Sequence, residues 1–364
     1  MANQVAYGFH ELQDIFDRRV VDTNVDLVTA AIQQSAMAYE QDLAGMLSGW
    51  CEDWTGNPQT RVELPDAGEL QPLSENGVPV VTKGGSSYTQ ALPLMRGGSA
   101  FGFNRESYAK ATIADMNRET LRMMKQDSAW NIRRLLASVL TNTTWSYKDE
   151  ENGDFSIKGL ANSGGTDTDQ YLDLNGDLAV DDHYLAQANA IADGADNPFP
   201  TIYEELYEHP ENTGAVVAFV PTGLKSSITG LTNFYEAQSL NSLVSYGNDT
   251  SLANDAVEMY LGFGNRVLGV VDDVVIVESR RMPANYIIAY SSGAGSFLRR
   301  RVPSEEVLQG LQVVPYQVNS NFTRFDYYRI AGYAPWNRIG AVAMQIGSGS
   351  YTIPTGYDAS TMAG

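Results

Sequence analysis

The sequence predicts an α+β fold, in which long helices are segregated from mostly antiparallel sheets. Residues 105–140 contain neither Gly nor Pro, and their apolar residues recur at every third or fourth position, as on one face of a helix. A second helix is predicted over 25–50, where Asn24 is placed to cap it. After residue 210 most of the chain consists of short apolar stretches typical of strands, and AVVAFVP (215–221) indicates a buried one.

The helix predicted over 105–140 is unusually long. Asn104 is placed to cap its start and Asn142 to end it. At 1.5 Å per residue the helix would measure about 54 Å, longer than one compact core needs. We therefore interpret it as a strut.

The segment before this helix has a different composition. Residues 51–103 contain five prolines and eight glycines, which interrupt the strand-like stretches RVEL (61–64), VPVVT (78–82) and YTQALPLM (88–95). This pattern predicts a long β-hairpin arm with a Gly-rich tip near 83–85. An arm of this composition cannot form a core alone and needs a neighbour to lie on. A shorter helix is expected over 9–21, ahead of the helix at 25–50.

Charge and composition restrict the function. The chain has 24 basic and 44 acidic residues, a net charge of −20, so it cannot bind nucleic acid through a broad basic face. Sixteen of the acidic residues lie within 149–211, against one base, Lys158. Cys51 is the only cysteine, which excludes an internal disulfide. No apolar run is long enough to span a membrane, and the start has no signal-peptide pattern, so assembly in the cytoplasm is expected.

Catalytic signatures do not occur in the sequence. The histidines His10, His183 and His209 have dissimilar contexts, and no GxSxG, HExxH, Walker A or GxGxxG motif accompanies them. Glu204 and Glu205 are adjacent, so on a helix they point apart and make a poor acid–base pair. We predict no enzyme activity and no cofactor.

One cluster resembles a cation site. Asp173, Asn175 and Asp177 alternate as calcium ligands do in a loop. However, Leu178 stands where the sharp turn requires Gly, and Tyr184 replaces the closing acid. A solvated acidic loop is therefore the alternative interpretation.

The basic run Arg299-Arg300-Arg301 falls on a predicted strand, whose alternation sends its members to opposite faces. Salt bridges, with Glu305 and Glu306 as partners, are one interpretation. Contact with a neighbouring chain or with nucleic acid is the other.

The order of these parts resembles that of the major capsid proteins of tailed bacteriophages, which have the Hong Kong 97 phage capsid fold. AVVAFVPTGLKSSITGL (215–231) is similar to the strand and helix of that family's axial domain. Within 267–300, Ser279, Met282 and Pro283 match a Ser-x-x-Met-Pro passage between two strands, and 322–344 resembles the closing strands. The resemblance implies an N-terminal arm (1–52), an extended β-hairpin loop (53–103), a peripheral domain beginning at 104–184 with a spine helix at 104–142, an axial domain (185–290), and C-terminal strands returning to the peripheral domain (291–364).

The resemblance also implies a function. Copies of the chain would assemble as hexamers and pentamers into an icosahedral phage head that encloses double-stranded DNA, helped by a scaffold protein, a portal and a decoration protein. The protein would be found in the virion after assembly in the host cytoplasm. The residues that we expect at subunit contacts share a positive charge: Arg61, Lys83, Arg96, Arg118, Arg122, Arg133, Arg134, Arg299 and Arg301.

Two other functions remain open from the sequence. An encapsulin has the same fold but forms a cellular compartment that loads an enzyme cargo; the long arm and the acidic insertion favour a virus. The second alternative is a calcium-binding hydrolase or carbohydrate-binding protein that uses the acidic loop.

Overall fold

The computed structural model describes residues 8–9, 16–23, 25–63, 77, 87–149, 152–165, 167–236, 265–319 and 322–362. The tip of the predicted arm, with Lys83, lies outside the described residues. So does most of the helix expected over 9–21, whose described part ends in a short 3-10 helix, Val20–Asp22.

The described residues form six helices and eighteen strands. The helices are α1 (Val25–Leu47), α2 (Arg105–Lys110), α3 (Ile113–Leu140), α4 (Pro198–Tyr207), α5 (Lys225–Thr229) and α6 (Ala359–Met362). The strands are β1 (Cys51–Trp54), β2 (Gln59–Glu63), β3 (Ser87–Ala91), β4 (Met95–Asn104), β5 (Trp145–Asp149), β6 (Gly153–Ile157), β7 (Gln170–Leu172), β8 (Leu178–Val180), β9 (Tyr184–Gln187), β10 (Val216–Pro221), β11 (Phe234–Glu236), β12 (Arg266–Val271), β13 (Val274–Ser279), β14 (Tyr286–Ser291), β15 (Leu298–Arg301), β16 (Gln312–Asn319), β17 (Phe322–Pro335) and β18 (Ala341–Ile346). No helix among the described residues is long and apolar enough to cross a membrane.

The predicted strut helix is interrupted, so its prediction as one element over 105–140 is wrong. Asn104 caps α2 as expected, but Thr112 is extended and caps α3 through a capping box with Asp115. The break is also held from outside, because the Val20 amide donates to the Ala111 carbonyl at 2.9 Å. Such a cap contributes about 1 kcal/mol. The remaining helix, α3, has 28 residues and measures about 42 Å.

Three smaller predictions also need correction. Pro200 followed by Thr201 predicts a helix over 201–208 with Thr201 as its cap. The helix instead begins at Pro198, because the Asn197 side chain accepts the Phe199 amide and proline is tolerated in a first turn. The helix expected over 222–231 is a 3-10 turn followed by α5. The acidic stretch expected to be loop contains the small hairpin β7–β8.

A five-stranded sheet packs on the long helix. Its order is β1-β15-β17-β16, and β4 also pairs with the long strand β17. The buried ring of Tyr327 faces α3, where its hydroxyl lies 3.4 Å from Thr120 Oγ1. The arm begins here, since β1 pairs with β15 and, a few residues on, β2 pairs with β3.

A seven-stranded sheet forms the second core. Its order is β11-β12-β13-β10-β14-β18-β9, with β10 in the centre and every residue of β10 buried. Val216, Ala218 and Val220 pack in the cluster formed with α4 and α5, whereas Phe219 contacts Trp50 with ring centroids 4.5 Å apart. Strand β18 belongs to this sheet through β14, so a boundary at 290 between axial and C-terminal parts does not coincide with the sheets.

Candidate functional site

A buried ion network joins α1, α3 and β17. The Arg329 guanidinium is 4% exposed; its Nε lies 2.9 Å from Asp127 Oδ1 on α3, and its Nη1 lies 2.9 Å from Glu40 Oε2 on α1. Tyr39 donates its hydroxyl to Asp127 Oδ2 at 2.8 Å. Although burial acts to lower it, the pKa of Arg329 is raised by these two carboxylates. The network fixes the N-terminal helix to the long helix and the sheet.

The base of the arm is held by the basic run on β15. Arg300 forms a bidentate pair with Asp53, with both distances at 2.5 Å. Arg301 donates to the Leu92 carbonyl and to Asp149 Oδ2, both at 3.0 Å, and Arg299 stacks 3.4 Å from the Trp336 ring. The alternation of faces is confirmed. The expected partners Glu305 and Glu306 are not the ones used, because the parallel strand β1 brings Asp53 beside Arg300.

The other basic candidates are spread over the arm and the long helix. Arg118 and Arg122 are exposed and form ion pairs with Asp115 and Glu119 one turn away. Arg133 donates to the Gly356 carbonyl at 2.9 Å. Burial, together with the neighbouring Arg133 charge, lowers the pKa of Arg134 to about 10.

Two further candidates lie at the arm. Arg61 on β2 donates to Ser87 Oγ at 2.8 Å across the hairpin, and Arg96 is exposed on β4. The structure therefore gathers Arg299 and Arg301 at the arm base, and it leaves Arg61 and Arg96 on exposed strand positions.

The acidic insertion is anchored by an arginine that sequence analysis did not single out. Arg338 is 2% exposed, and its Nη1 lies 2.6 Å from Asp169 Oδ2, while its Nη2 contacts Asp167. Lys158 Nζ lies 2.5 Å from the same Asp169 oxygen. Burial favours the neutral form of Asp167, but the Arg338 charge outweighs it and lowers the pKa of that carboxyl.

The calcium candidate residues lie in the turn between β7 and β8. Asp173 Oδ1 accepts the amides of Asn175 and Asp177 at 2.9 and 2.8 Å, so this oxygen holds the turn. Both the calcium site and the solvated loop stay predictions.

A second cluster was missed from the sequence, because His209 lies 26 residues after His183. His183 Nε2 and His209 Nε2 lie 3.3 Å apart, and Asp181 Oδ2 lies 2.9 Å from the first and 2.5 Å from the second. Glu205 and Glu208 on the end of α4 bring carboxylate oxygens to the same Asp181. The one sequence signal was the pair of histidines that flanks the predicted α4.

The electrostatics of this cluster are shifted by burial and mutual contact. Burial and then the Asp181 charge raise the pKa of Glu205 to about 8. Burial opposes ionisation of Asp181, but the two imidazoles outweigh it and hold the pKa of Asp181 well below its usual range. Asp181 in turn raises the pKa of His209 against the effect of burial.

One face of the five-stranded sheet exposes large apolar side chains. Val314 and Tyr316 on β16 and Tyr328 on β17 are 43%, 53% and 44% exposed. The register pairs Gln312 with Tyr328, so these three side chains share the face opposite α3, and the Arg324–Asp326 ion pair lies on the same face between them. We call Val314, Tyr316 and Tyr328 the outer apolar face. Exposed clusters of this kind mark interaction surfaces.

Comparison with solved structures identifies the fold. The chain is similar to a structure from Mycobacterium phage Patience, at 17% identity, with 98% of this chain and 97% of that chain covered and a TM-score of 0.65. It is also similar to the capsid of a native GTA particle (12% identity, 84% and 91% covered, TM-score 0.50) and to the capsid of Ralstonia phage GP4 (10%, 83% and 87%, 0.50). No family model and no curated protein sequence matches the chain. The phage capsid fold that the sequence resemblance predicted is confirmed.

Proposed function

We propose that this chain is the major capsid protein of a tailed bacteriophage. Its copies assemble as hexamers and pentamers into an icosahedral head that encloses double-stranded DNA. The observation that carries this proposal is the fold match to the phage Patience structure over nearly the full length of both chains.

The surfaces of the single chain support assembly. The outer apolar face costs free energy in water, at about 25 cal/mol for each Å² of apolar area, and a second copy of the chain covering it would recover that free energy. On α1, Met37 is 68% exposed, and on the loop before β16, Val307 is 79% exposed. Repeated contacts of this kind stabilise a closed shell although each is modest.

The arm has a defined role in this proposal. Its base is tied to β15, because Arg300 binds Asp53 and Arg301 binds the Leu92 carbonyl. The rest of the arm extends across a neighbouring subunit, with Arg61 and Arg96 at that contact. The N-terminal arm, 1–52, contacts another neighbour, and α3 is the spine of the tile.

The remaining partners follow from the same proposal. A scaffold protein and a portal direct assembly, a decoration protein binds the finished shell, and the shell contacts packaged DNA without sequence specificity. The protein acts in the virion after assembly in the host cytoplasm.

Electron microscopy of the expressed chain, alone and with its gene neighbours, tests the proposal. Regular shells tens of nanometres across are expected. A small monodisperse monomer under all these conditions would contradict it. Shells that hold an enzyme cargo and are encoded beside that enzyme would instead identify an encapsulin.

A structure-based variant sharpens this test. Tyr316→Glu places a charge on the outer apolar face, so shells should be lost while the circular dichroism spectrum of the subunit is retained. Tyr316→Phe is the matched control, because it keeps the ring and removes only the hydroxyl; it should assemble. Shells of unchanged yield from Tyr316→Glu would exclude this face as a contact.

A further inference from the structure

We propose that Asp181, His183 and His209 form a binding site for a divalent transition-metal ion of the Zn²⁺ type, with Glu205 or Glu208 as fourth ligand. This site does not depend on shell assembly, because all its ligands belong to one chain.

The backbone contacts of the two imidazoles set the direction of their lone pairs. His183 Nδ1 lies 2.8 Å from the Ala341 carbonyl oxygen, and His209 Nδ1 lies 3.0 Å from that of Leu172. A carbonyl oxygen only accepts, so each Nδ1 carries the hydrogen and each neutral ring presents a lone pair at Nε2. Both Nε2 atoms are thus aimed at one another and at the Asp181 carboxylate. This is the arrangement of metal-binding histidines, whose other nitrogen donates to a fixed acceptor.

Three electron-rich atoms at such short separations require a positive charge among them. A proton on one imidazole satisfies one contact with Asp181 and leaves the other Nε2 lone pair facing the carboxylate. Protons on both rings place two cations in stacked rings whose centroids are 5.4 Å apart, at side chains only 0% and 3% exposed. A metal ion bound by all three atoms satisfies every lone pair at once.

The separation of the two imidazole nitrogens fits a tetrahedral ion. With bonds of about 2.0–2.1 Å, tetrahedral ligand atoms are about 3.3 Å apart. The Nε2–Nε2 distance is 3.3 Å. Asp181 Oδ2 lies 2.9 Å from His183 Nε2 and 2.5 Å from His209 Nε2. When the ion binds, this oxygen would move away from the two nitrogens by about 0.4 and 0.8 Å.

The fourth ligand would come from Glu205 near the end of α4 or from Glu208 just after it, by movement of that side chain toward the imidazoles. Oxygens of Asp181, Glu205 and Glu208 lie within 4.8 Å of one another, and Glu208 Oε1 is 3.8 Å from His209 Nε2. Imidazole and carboxylate donors in this number suit Zn²⁺ rather than Ca²⁺ or Mg²⁺, which prefer oxygen alone. The buried imidazoles indicate a structural ion that ties the segment before β9 to the end of α4.

Metal analysis of the purified full chain tests the site. After removal of metal with a chelator and addition of Zn²⁺ alone, we expect about one ion per chain and a rise of Tm by about 5 °C with Zn²⁺ in 100-fold excess over Kd. Co²⁺ in the same site should give the intense visible absorption of a four-coordinate ion. This measurement needs no substitution in the chain.

Variants with matched controls separate this site from surface binding. His209→Asn should weaken Zn²⁺ binding by about 10- to 100-fold or more. Glu204→Gln, an exposed neighbour on α4, and Asp173→Asn, in the other acidic candidate, should bind as the unaltered chain does. The proposal is overturned by a chain that holds no Zn²⁺ and shows no Tm rise, by Co²⁺ without that absorption, or by His209→Asn binding as tightly as the controls.

Discussion

Replacement of Arg329 by Met tests whether the buried ion network fixes the N-terminal helix to the rest of the subunit. Met retains much of the aliphatic stem and removes the guanidinium, which leaves Asp127 and Glu40 without their shared cation. The Asp127 side chain is 6% exposed and that of Glu40 is 26% exposed, so water replaces the lost contacts only in part. Breaking a buried pair in this way costs about 3–5 kcal/mol.

The loss is large compared with the usual stability of a domain, about 5–15 kcal/mol. Urea unfolding of the unassembled subunit, followed by circular dichroism, measures it as a lower midpoint. Arg122→Met is the control, because this exposed residue pairs with Glu119 on the surface of the same helix, and a change within about 0.5 kcal/mol is expected.

A second variant tests the electrostatic reason. Glu40→Gln and Asp127→Asn, combined with Arg329→Met, remove the unpaired charges, so at least half of the lost stability should return. The reasoning would be refuted if the free energy of unfolding of Arg329→Met lay within about 1 kcal/mol of that of the unaltered subunit. It would also be refuted if the triple variant were less stable than Arg329→Met alone.

Three further predictions concern single positions. Gly332→Ala places a Cβ 2.1 Å from the Pro93 carbonyl oxygen, so the free energy of unfolding should fall by about 2–3 kcal/mol. Gly349→Ala, with open space around it, should leave the free energy of unfolding nearly unchanged, and equal urea midpoints for the two variants would contradict this. Asp273→Gly relieves a φ of +66° in the turn between β12 and β13 and should raise the free energy of unfolding by about 0.5 kcal/mol, and a lower midpoint would count against it. The pKa of Asp167 is lowered in the folded chain, so in acid the unfolded chain binds a proton at Asp167 more readily than the folded chain does. The contact between Asp167 and Arg338 therefore stabilises the fold fully above the ordinary pKa of 3.8, and this stabilisation is lost as the pH falls from 3.8 through the lowered pKa. Asp167→Asn should therefore cost about 1–3 kcal/mol at pH 7 and progressively less in acid, and a gap that stays constant down to pH about 2 would disprove that linkage.

Most strands after residue 210 were predicted from the sequence, whereas β7, β8 and the contacts between distant segments were not. Apolar stretches such as 215–221 and 274–279 specify buried strands locally. The break at Thr112 is also local, since Thr112 and Asp115 form a recognisable capping box. It was missed because residues 105–140 contain neither Gly nor Pro to mark a break.

The ion network and the histidine cluster arise from tertiary packing and not from local sequence. Glu40, Asp127 and Arg329 are brought together only by the packing of two helices on a sheet. His183 and His209 meet because β9 pairs with β18 and α4 ends beside them. Nothing in the spacing of these residues along the chain indicates these contacts, so they required the structure.

Strand β17 has a consequence for the timing of folding. The other four strands of its sheet, and both helices of the ion network, precede it in the chain. During synthesis, therefore, Glu40 and Asp127 have no counter-charge, and β4 and β15 lack their common neighbour, until residues 322–335 have left the ribosome. Chains that stop before this strand lack the Arg329 cation that joins α1 to α3. An unfinished chain therefore presents an α1 that is not tied to the sheet, and in a shell built from copies of this protein it would not match a complete subunit.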